Sequence, residues 1–283
     1  MIVARSILKV RKIIKKVKEK KKIVGFVPTM GALHLGHLSL IRKAKKECDF
    51  VVVSIFVNPI QFGPQEDYKR YPRPFKKDKK ILEEEKVDLL FYPTAKVMYF
   101  QNFSTYVEEV SLSKYLCGKF RLGHFRGVTT VVAKLFNIVS PDISYFGQKD
   151  FQQAQIIKRM VRDLNFPVKI KVLPIVREKD GLAMSSRNSY LTSSERKKAA
   201  FLYQSLKKAK VLIKQKENPQ KIRQVVVRFI KEKIPESKID YVEVADPSTL
   251  ESLKTIRKNQ KVLVALAVHI GKARLIDNIL VKV

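Results

Sequence analysis

The sequence predicts an α/β protein: a parallel sheet covered by helices on both faces, followed by a smaller α+β domain. Three observations carry this. Through about residue 175, short uncharged β-branched runs alternate with stretches of helical periodicity. Several of those runs are apolar at every position, the pattern of strands buried on both faces. After residue 180 two helical patterns come first, and apolar or alternating runs then follow one another without helices between them, as in an antiparallel meander. The expected division is a Rossmann-like doubly wound domain over residues 1–176 and a smaller α+β domain over 177–283.

Taken in order, the opening MIVARSILKVRKIIKKVKEKKK is basic and acid-poor like a transit peptide. Ile7, Val10, Ile13, Ile14 and Val17 recur at helical spacing, however, so it reads as a helix with one buried face. IVGFV (23–27) is a buried strand and GHLSLIRKAKKEC the helix after it. FVVVSIFV (50–57) is a second strand, KKDKKILEEEK a helix, and VDLLFYP a short strand. GVTTVVAKLFNIV (127–139) is apolar enough for a largely buried helix. DISYFG (142–147) is a strand, DFQQAQIIKRMVRDL (150–164) a helix, and VKIKVLPIV closes the series. In the second part, TSSERKKAAFLYQSLKKAKVLIKQ has a Ser/Thr cap and NPQKIRQVVVRFIKEKI is a further helix. IDYVEVAD, KVLVALAVHI and ARLIDNILV are the meander strands.

The formal charge is +32, from 58 basic and 26 acidic side chains. The lysines are spread along the chain, densest at Lys15 to Lys22, with no zinc-finger spacing, RGG segment or basic tail. That favours a solvated lysine-rich surface over a specific nucleic-acid site, and it would steer anionic small substrates. No run of about 18 uncharged apolar residues is present, so no membrane span is expected. Cys48 and Cys117 are isolated and lack metal spacing, which suggests a reduced, cytoplasmic protein; neither receives a role.

Three stretches carry chemistry. PTMGALHLGH (28–37) follows a buried strand and opens a helix. The N–H groups and positive dipole end of such a helix face an anion, and His34 and His37 place imidazole N–H groups beside it. Gly36 lets a nucleotide approach the backbone. The pair does not suit zinc, because no third ligand is near. GQKD (147–150) follows DISYF: Gly147 permits a tight turn, Lys149 projects toward phosphate, and Asp150 takes ribose hydroxyls or caps the helix. Alone it reads equally as a plain helix cap. AMSSR (183–187) offers two hydroxyls and a guanidinium, or is an ordinary polar loop.

Together FVPTMGALHLGHLSLIRKA, VVVSIFVNPIQFGPQEDYKRYPR, GHFRGVTTVVAKLFNIVSPDISYFGQKDFQQ and REKDGLAMSSRNSYL resemble the pantoate–β-alanine ligase family. That family lies within the nucleotidyl-transfer superfamily that includes class I aminoacyl-tRNA synthetases. The similarity runs from about residue 23 to the final ARLIDN. It implies an ATP-dependent ligase that makes pantoyl adenylate and pyrophosphate, then pantothenate and AMP, and that works as a homodimer. It implies His37, His34 and Lys149 as catalytic groups. ATP would bind along Met30, Gly31, Ala32, Leu33, His34, Leu35, Gly36 and His37. It would also bind Gly147, Gln148, Lys149 and Asp150, then Val176, and finally Met184, Ser185, Ser186 and Arg187. Gln61, Gln153 and Asn58 would hold pantoate, with Gln61 also near β-alanine. Apolar neighbours such as Phe56 and Val131 could pack the methyl groups of pantoate. Other adenylyl-transferring enzymes of the superfamily, and a basic nucleic-acid binder, are the alternatives.

Two departures stand out. Family members carry adjacent acidic residues where YPRPFKKD has only Asp78, so Asp78 is the sole protein candidate for the Mg2+ that accompanies ATP. Leu122 replaces a proline in RLGHF, and His124 there reads as structural.

Overall fold

The protein is described by a computed structural model covering residues 1–283. It divides into two compact units. The first comprises residues 1–111, 121–147 and 153–174; the second comprises 112–120, 148–152 and 175–283. Two short segments, 112–120 and 148–152, count with the second unit.

The first unit is built on β1 (Ile2–Ala4), α1 (Ile7–Glu19), β2 (Val24–Thr29), α2 (Leu35–Glu47), β3 (Phe50–Ile55), α3 (Phe75–Glu84), β4 (Leu89–Phe91), α4 (Ala95–Met98), α5 (His124–Val139), β5 (Ile143–Gly147), α6 (Phe151–Asp163) and β6 (Lys169–Leu173). The strands form one sheet in the order β1-β4-β3-β2-β5-β6, and every pairing is parallel. The winding reverses direction between β2 and β5, and ligands of open α/β sheets bind beyond the carboxyl ends of the strands at such a point.

Period-two alternation decides what each face packs. Val24, Phe26, Val52, Leu89, Phe91 and Phe146 face a core shared with Val10, Ile14 and Val17 of α1, with α5, and with Ile157 and Met160 of α6. Val27, Val51, Val53, Ile55, Leu90 and Tyr145 face the other core, against Leu40, Ile41 and Ala44 of α2 and Leu82 of α3. Both faces are therefore buried, which is why the strand sequences run apolar without a polar side. α5 is buried along almost its whole length. No helix is long and apolar enough to cross a membrane.

β1 was not expected. Three residues are too few to show a period, and the edge position is secured instead by pairing Ile2, Val3 and Ala4 with Leu89, Leu90 and Phe91. Ser6 then caps α1 by accepting from the Lys9 N–H.

The second unit holds α7 (Ser193–Ala199), α8 (Phe201–Lys214), α9 (Pro219–Lys233) and an antiparallel sheet β7-β8-β9 (Lys238–Ala245, Lys261–Ile270, Ala273–Lys282). Leu202, Leu206 and Ile213 of α8, Ile222, Val226 and Ile230 of α9, and alternate residues of the strands make its core. The single helix expected over 192–215 is interrupted at Ala200, which keeps helical angles (φ −61°, ψ −25°).

A polar cluster ties α2 to β5 and β6. Glu47 accepts from Lys171 Nζ (2.7 Å) and from the Tyr145 hydroxyl (2.8 Å), and Lys43 lies 3.1 Å away. Cys48 Sγ sits 3.3 Å from the same hydroxyl and would be 2.8 Å from a Cβ at Gly25, so α2 lies close on β2 only because residue 25 is glycine. The Lys171 bond, then the Tyr145 bond, pull the Glu47 carboxyl from the usual 4.5 down to about 2. A depressed carboxyl stabilises the fold fully above its unfolded value and loses that contribution as pH falls through the folded one. Urea midpoints should therefore decline from pH 4.5 toward 2, and Glu47→Gln should flatten part of that decline; an unchanged acid limb in the variant would exclude this cluster as its source.

Candidate active site

The carboxyl end of β2 turns through Met30 and Gly31 into α2. Gly31 (φ +83°) and Ala32 (φ +51°) are both left-handed, a costly choice for alanine. What holds them is Asp78, on the first turn of α3 and 1% exposed. Its Oδ2 accepts from Ala32 N–H at 2.8 Å and its Oδ1 from Leu33 N–H at 2.9 Å. Two successive amides closing on one carboxylate form an anion nest, here filled by the protein's own side chain. A Cβ on Gly31 would lie 2.9 Å from Ile55 and 3.0 Å from Asp78, so the approach requires glycine. Thr29 completes the turn: its hydroxyl donates to Ser54 O (2.8 Å) and accepts from Gly31 N–H (3.1 Å). Burial pushes the Asp78 carboxyl up, against the two amide bonds and Lys77, which pull it down.

The two histidines cap α2 reciprocally. His34 Nδ1 accepts from Gly36 N–H at 3.1 Å, and His37 Nδ1 from His34 N–H at 3.3 Å, with ring centroids 4.1 Å apart. A nitrogen that accepts carries no hydrogen, so each neutral ring bears its proton on Nε2. Of the backbone N–H groups of this helix expected to face an anion, one is already occupied within the protein: the Gly36 amide is taken by His34.

Beyond β3, the turn Pro59–Gln61 is held from several sides. Asn58 Nδ2 donates to Gln61 Oε1 (3.1 Å) and to Gly127 O (3.0 Å), and Tyr99 OH donates to Asn58 Oδ1 (2.7 Å). Gln61 Nε2 reaches Met30 Sδ at 3.2 Å, which ties this turn to the β2 loop. His124 Nδ1 donates to Gln61 O (2.8 Å) while its Nε2 accepts from Arg121 (2.9 Å), the opposite tautomer to that of His34 and His37. Arg121 in turn is paired with both oxygens of Glu66 (2.7 and 2.6 Å). His124 is therefore bonded as a structural residue. Leu122 beside it is 88% exposed, so its departure from proline touches nothing in the site. Phe56 and Val131 are buried in one core. Gln153 lies half-buried on α6.

A pocket of about 190 Å³ opens at the carboxyl ends of β2, β3 and β4, lined by Met30, Ile55 to Val57, Tyr68, Arg73, Phe75, Asp78 and Tyr92 to Ala95. It includes neither histidine nor Gln61. It marks the correct end of the sheet, and the histidines and amides lie beside it.

In the second unit Gln148–Asp150 form one 3-10 turn before α6. Gly147 does not take a positive φ, so the tight-turn reason for a glycine there falls away; a Cβ would meet nothing within 4 Å. Asp150 is exposed, and Lys149 is half-buried. Ser185 Oγ accepts from Arg187 N–H (3.2 Å), and Ser186 begins the 3-10 turn that carries Arg187. Val176 is paired through its carbonyl to Met184 N–H (3.0 Å). Gln152, passed over in the sequence, is 4% exposed and staples 112–117: it donates to Leu112 O and Tyr115 O and accepts from Cys117 N–H. Nothing in the local sequence marks it, because a glutamine at a polar helix start is ordinarily solvated.

No three His, Cys, Asp or Glu side chains converge as a metal cluster. Asp78, the expected Mg2+ ligand, is committed to two amides, so the donor set does not fit a protein-held magnesium. Phosphate and water oxygens suit that ion instead.

A sequence model of the family described as Pantoate-beta-alanine ligase matches residues 2–280. The chain belongs to the pantoate-beta-alanine ligase family. The pantothenate synthetase of Thermotoga petrophila is 56% identical over 279 residues, covering 98% of this chain and 99% of that protein. The crystal structure of pantothenate synthetase from Thermus thermophilus superposes with a TM-score of 0.91 at 44% identity, covering 99% of each chain. The Francisella tularensis ligase, crystallised with beta-gamma ATP and beta-alanine, gives 0.83 at 39% identity, covering 99% of this chain and 97% of that one.

Two substitutions test the family's loop geometry in this chain. Asp78→Ala strands two buried amides and should lower unfolding free energy by about 1–3 kcal/mol in urea titrations. A loss below a few tenths would show that the nest does not hold the loop. At Gly127 an added Cβ would lie 2.3 Å from Ile60 O and 2.6 Å from Gln61 Cα. Gly127→Ala should therefore cost about 1–3 kcal/mol by overpacking and displace the Gln61 turn, checked by calorimetry and a crystal structure.

Proposed function

We propose that the chain joins pantoate to β-alanine through a pantoyl-adenylate intermediate. Family membership across residues 2–280 makes it an ATP-dependent pantoate–β-alanine ligase. The observation carrying the intermediate is the pair of Nε2–H imidazoles capping α2 at the sheet's carboxyl edge, the kind of donor that phosphoryl oxygens need.

In the first step a pantoate carboxylate oxygen attacks the α-phosphorus of ATP, and the bond to the β-phosphate bridging oxygen breaks to release pyrophosphate. His34 and His37 donate to phosphate oxygens as charge builds there. Lys149, Ser185, Ser186 and Arg187 of the second unit serve ATP as cations and hydroxyl donors. In the second step the β-alanine amine attacks the acyl carbon, loses a proton, and AMP leaves. Gln61, Asn58 and Gln153 read pantoate's hydroxyls and carboxylate with amides, which need no counter-charge. Asn58 and Gln61 are already oriented by Tyr99, Gly127, His124 and Met30. Mg2+ bound with ATP would screen the phosphates from the attacking carboxylate.

AMP formation from ATP should require both pantoate and β-alanine, whereas exchange of labelled pyrophosphate into ATP should require pantoate alone. His37→Ala should lower the exchange rate about 10²–10³-fold, the cost of one preorganised donor. Exchange that proceeds without pantoate, or AMP release dependent on tRNA, would overturn the reading.

A further inference from the structure

The C-terminal stretch ARLIDN (273–278) has no part in this scheme, yet it buries two polar side chains. Asp277 is 3% exposed and Asn278 2%. Their positions on β9 face Leu266 and Ala265 of β8 in an ordinary ladder that asks for nothing polar. Asp and Asn are poor strand residues, and a buried carboxylate is costly unless paired. Burial pushes the Asp277 carboxyl up and Arg177 pulls it down.

Their partners explain them. The Asn278 amide donates to the main-chain carbonyls of Gln148 and Lys149, both at 3.0 Å, and accepts from Gln148 Nε2 at 3.2 Å. Those bonds orient two consecutive peptide planes, and with them the direction in which Lys149 leaves the backbone. Asp277 takes Arg177 in a two-pronged pair, Nη1 at 2.6 Å and Nη2 at 2.9 Å. Arg177 also donates to Gly181 O (3.0 Å) and lies 3.7 Å over the Tyr203 ring. Arg177 is bridged to Ala183 across a hairpin whose second arm leads directly into Met184–Arg187. Gly181 (φ +95°) turns that hairpin, and Tyr203 fills the space its Cβ would need.

We propose that Asp277 and Asn278 are positioning residues: one strand fixes the Gln148–Lys149 turn and the 176–184 hairpin in a common register, which aims Lys149 and Arg187 at the triphosphate. Neither touches substrate. The inference rests on the reading that Lys149 and Arg187 contact ATP, and the experiment separates the two.

Pantoate-dependent pyrophosphate exchange is measured for the full chain and for Asn278→Ala, Lys149→Ala and the double variant, with circular dichroism as the folding control. Asn278→Ala should lower kcat for exchange about 10- to 100-fold, as a small misplacement of a catalytic group does. The KM for pantoate should stay within about two-fold, because the cost falls on positioning. In the Lys149→Ala background the same change should cost under about three-fold, since residues acting as one unit are not additive. Full additivity would overturn the proposal, as would an Asn278→Ala enzyme with unchanged kcat. A fully active Lys149→Ala enzyme would instead sink the reading of the site. If Asn278→Ala does not fold, the cycle is run with Asn278→Ser, which keeps one donor. The Asp277 arm is tested in the same way with Asp277→Asn and Arg187→Ala.

Discussion

A carboxylate closing on two successive amides organises the carboxyl edge of this sheet. Asp78 reaches Ala32 and Leu33 from a helix 46 residues later in the chain, and it holds an alanine in a conformation that alanine avoids. With the loop so fixed, α2 begins at Leu35, and His34 and His37 fall where each can cap the other. The same packing brings Met30 to Gln61. Both histidines and one amide of the first unit thus depend on one buried acid. A carboxyl so deeply buried is costly, and the two amide bonds it accepts offset part of that cost.

The sheet supplies the frame for that contact. Alternation along β2 to β5 sends one set of apolar residues to α1, α5 and α6 and the other to α2 and α3. Neither face is left to water, so the functional groups are confined to the strand ends, where loops are free to carry them. The second unit follows the same logic. Its meander packs one apolar face against α8 and α9, and at Asp277 and Asn278 β9 turns its side chains to bonding two loops.

Much of this was legible in the sequence because it rests on local pattern. β2 to β5 are largely apolar runs, α2 and α5 keep helical spacing, and the histidine pair follows a strand. What was not legible depends on contacts distant in sequence. β1 has no length in which to show a period. Asp78 looked like a metal ligand because its type fits one; only the fold reveals that its oxygens are taken. Gln152 resembled a solvated helix residue, and its three partners lie about 35 to 40 positions upstream. ARLIDN was visible as a motif without a purpose, since its partners stand 100 to 130 residues earlier. His124 read as structural, and its two ring nitrogens are bonded accordingly.

The bare flank of α5 at Gly127 has one more implication. The helix touches the Ile60–Gln61 backbone at the only kind of residue that leaves room, and the Gly127 carbonyl receives the Asn58 amide. A buried core helix and the Asn58–Gln61 turn therefore share one seam. Any sequence drift that rolls or slides α5 to repack its oily side would be felt at once in the Asn58–Gln61 turn, so the packing of this helix and the shape of that turn cannot be tuned separately.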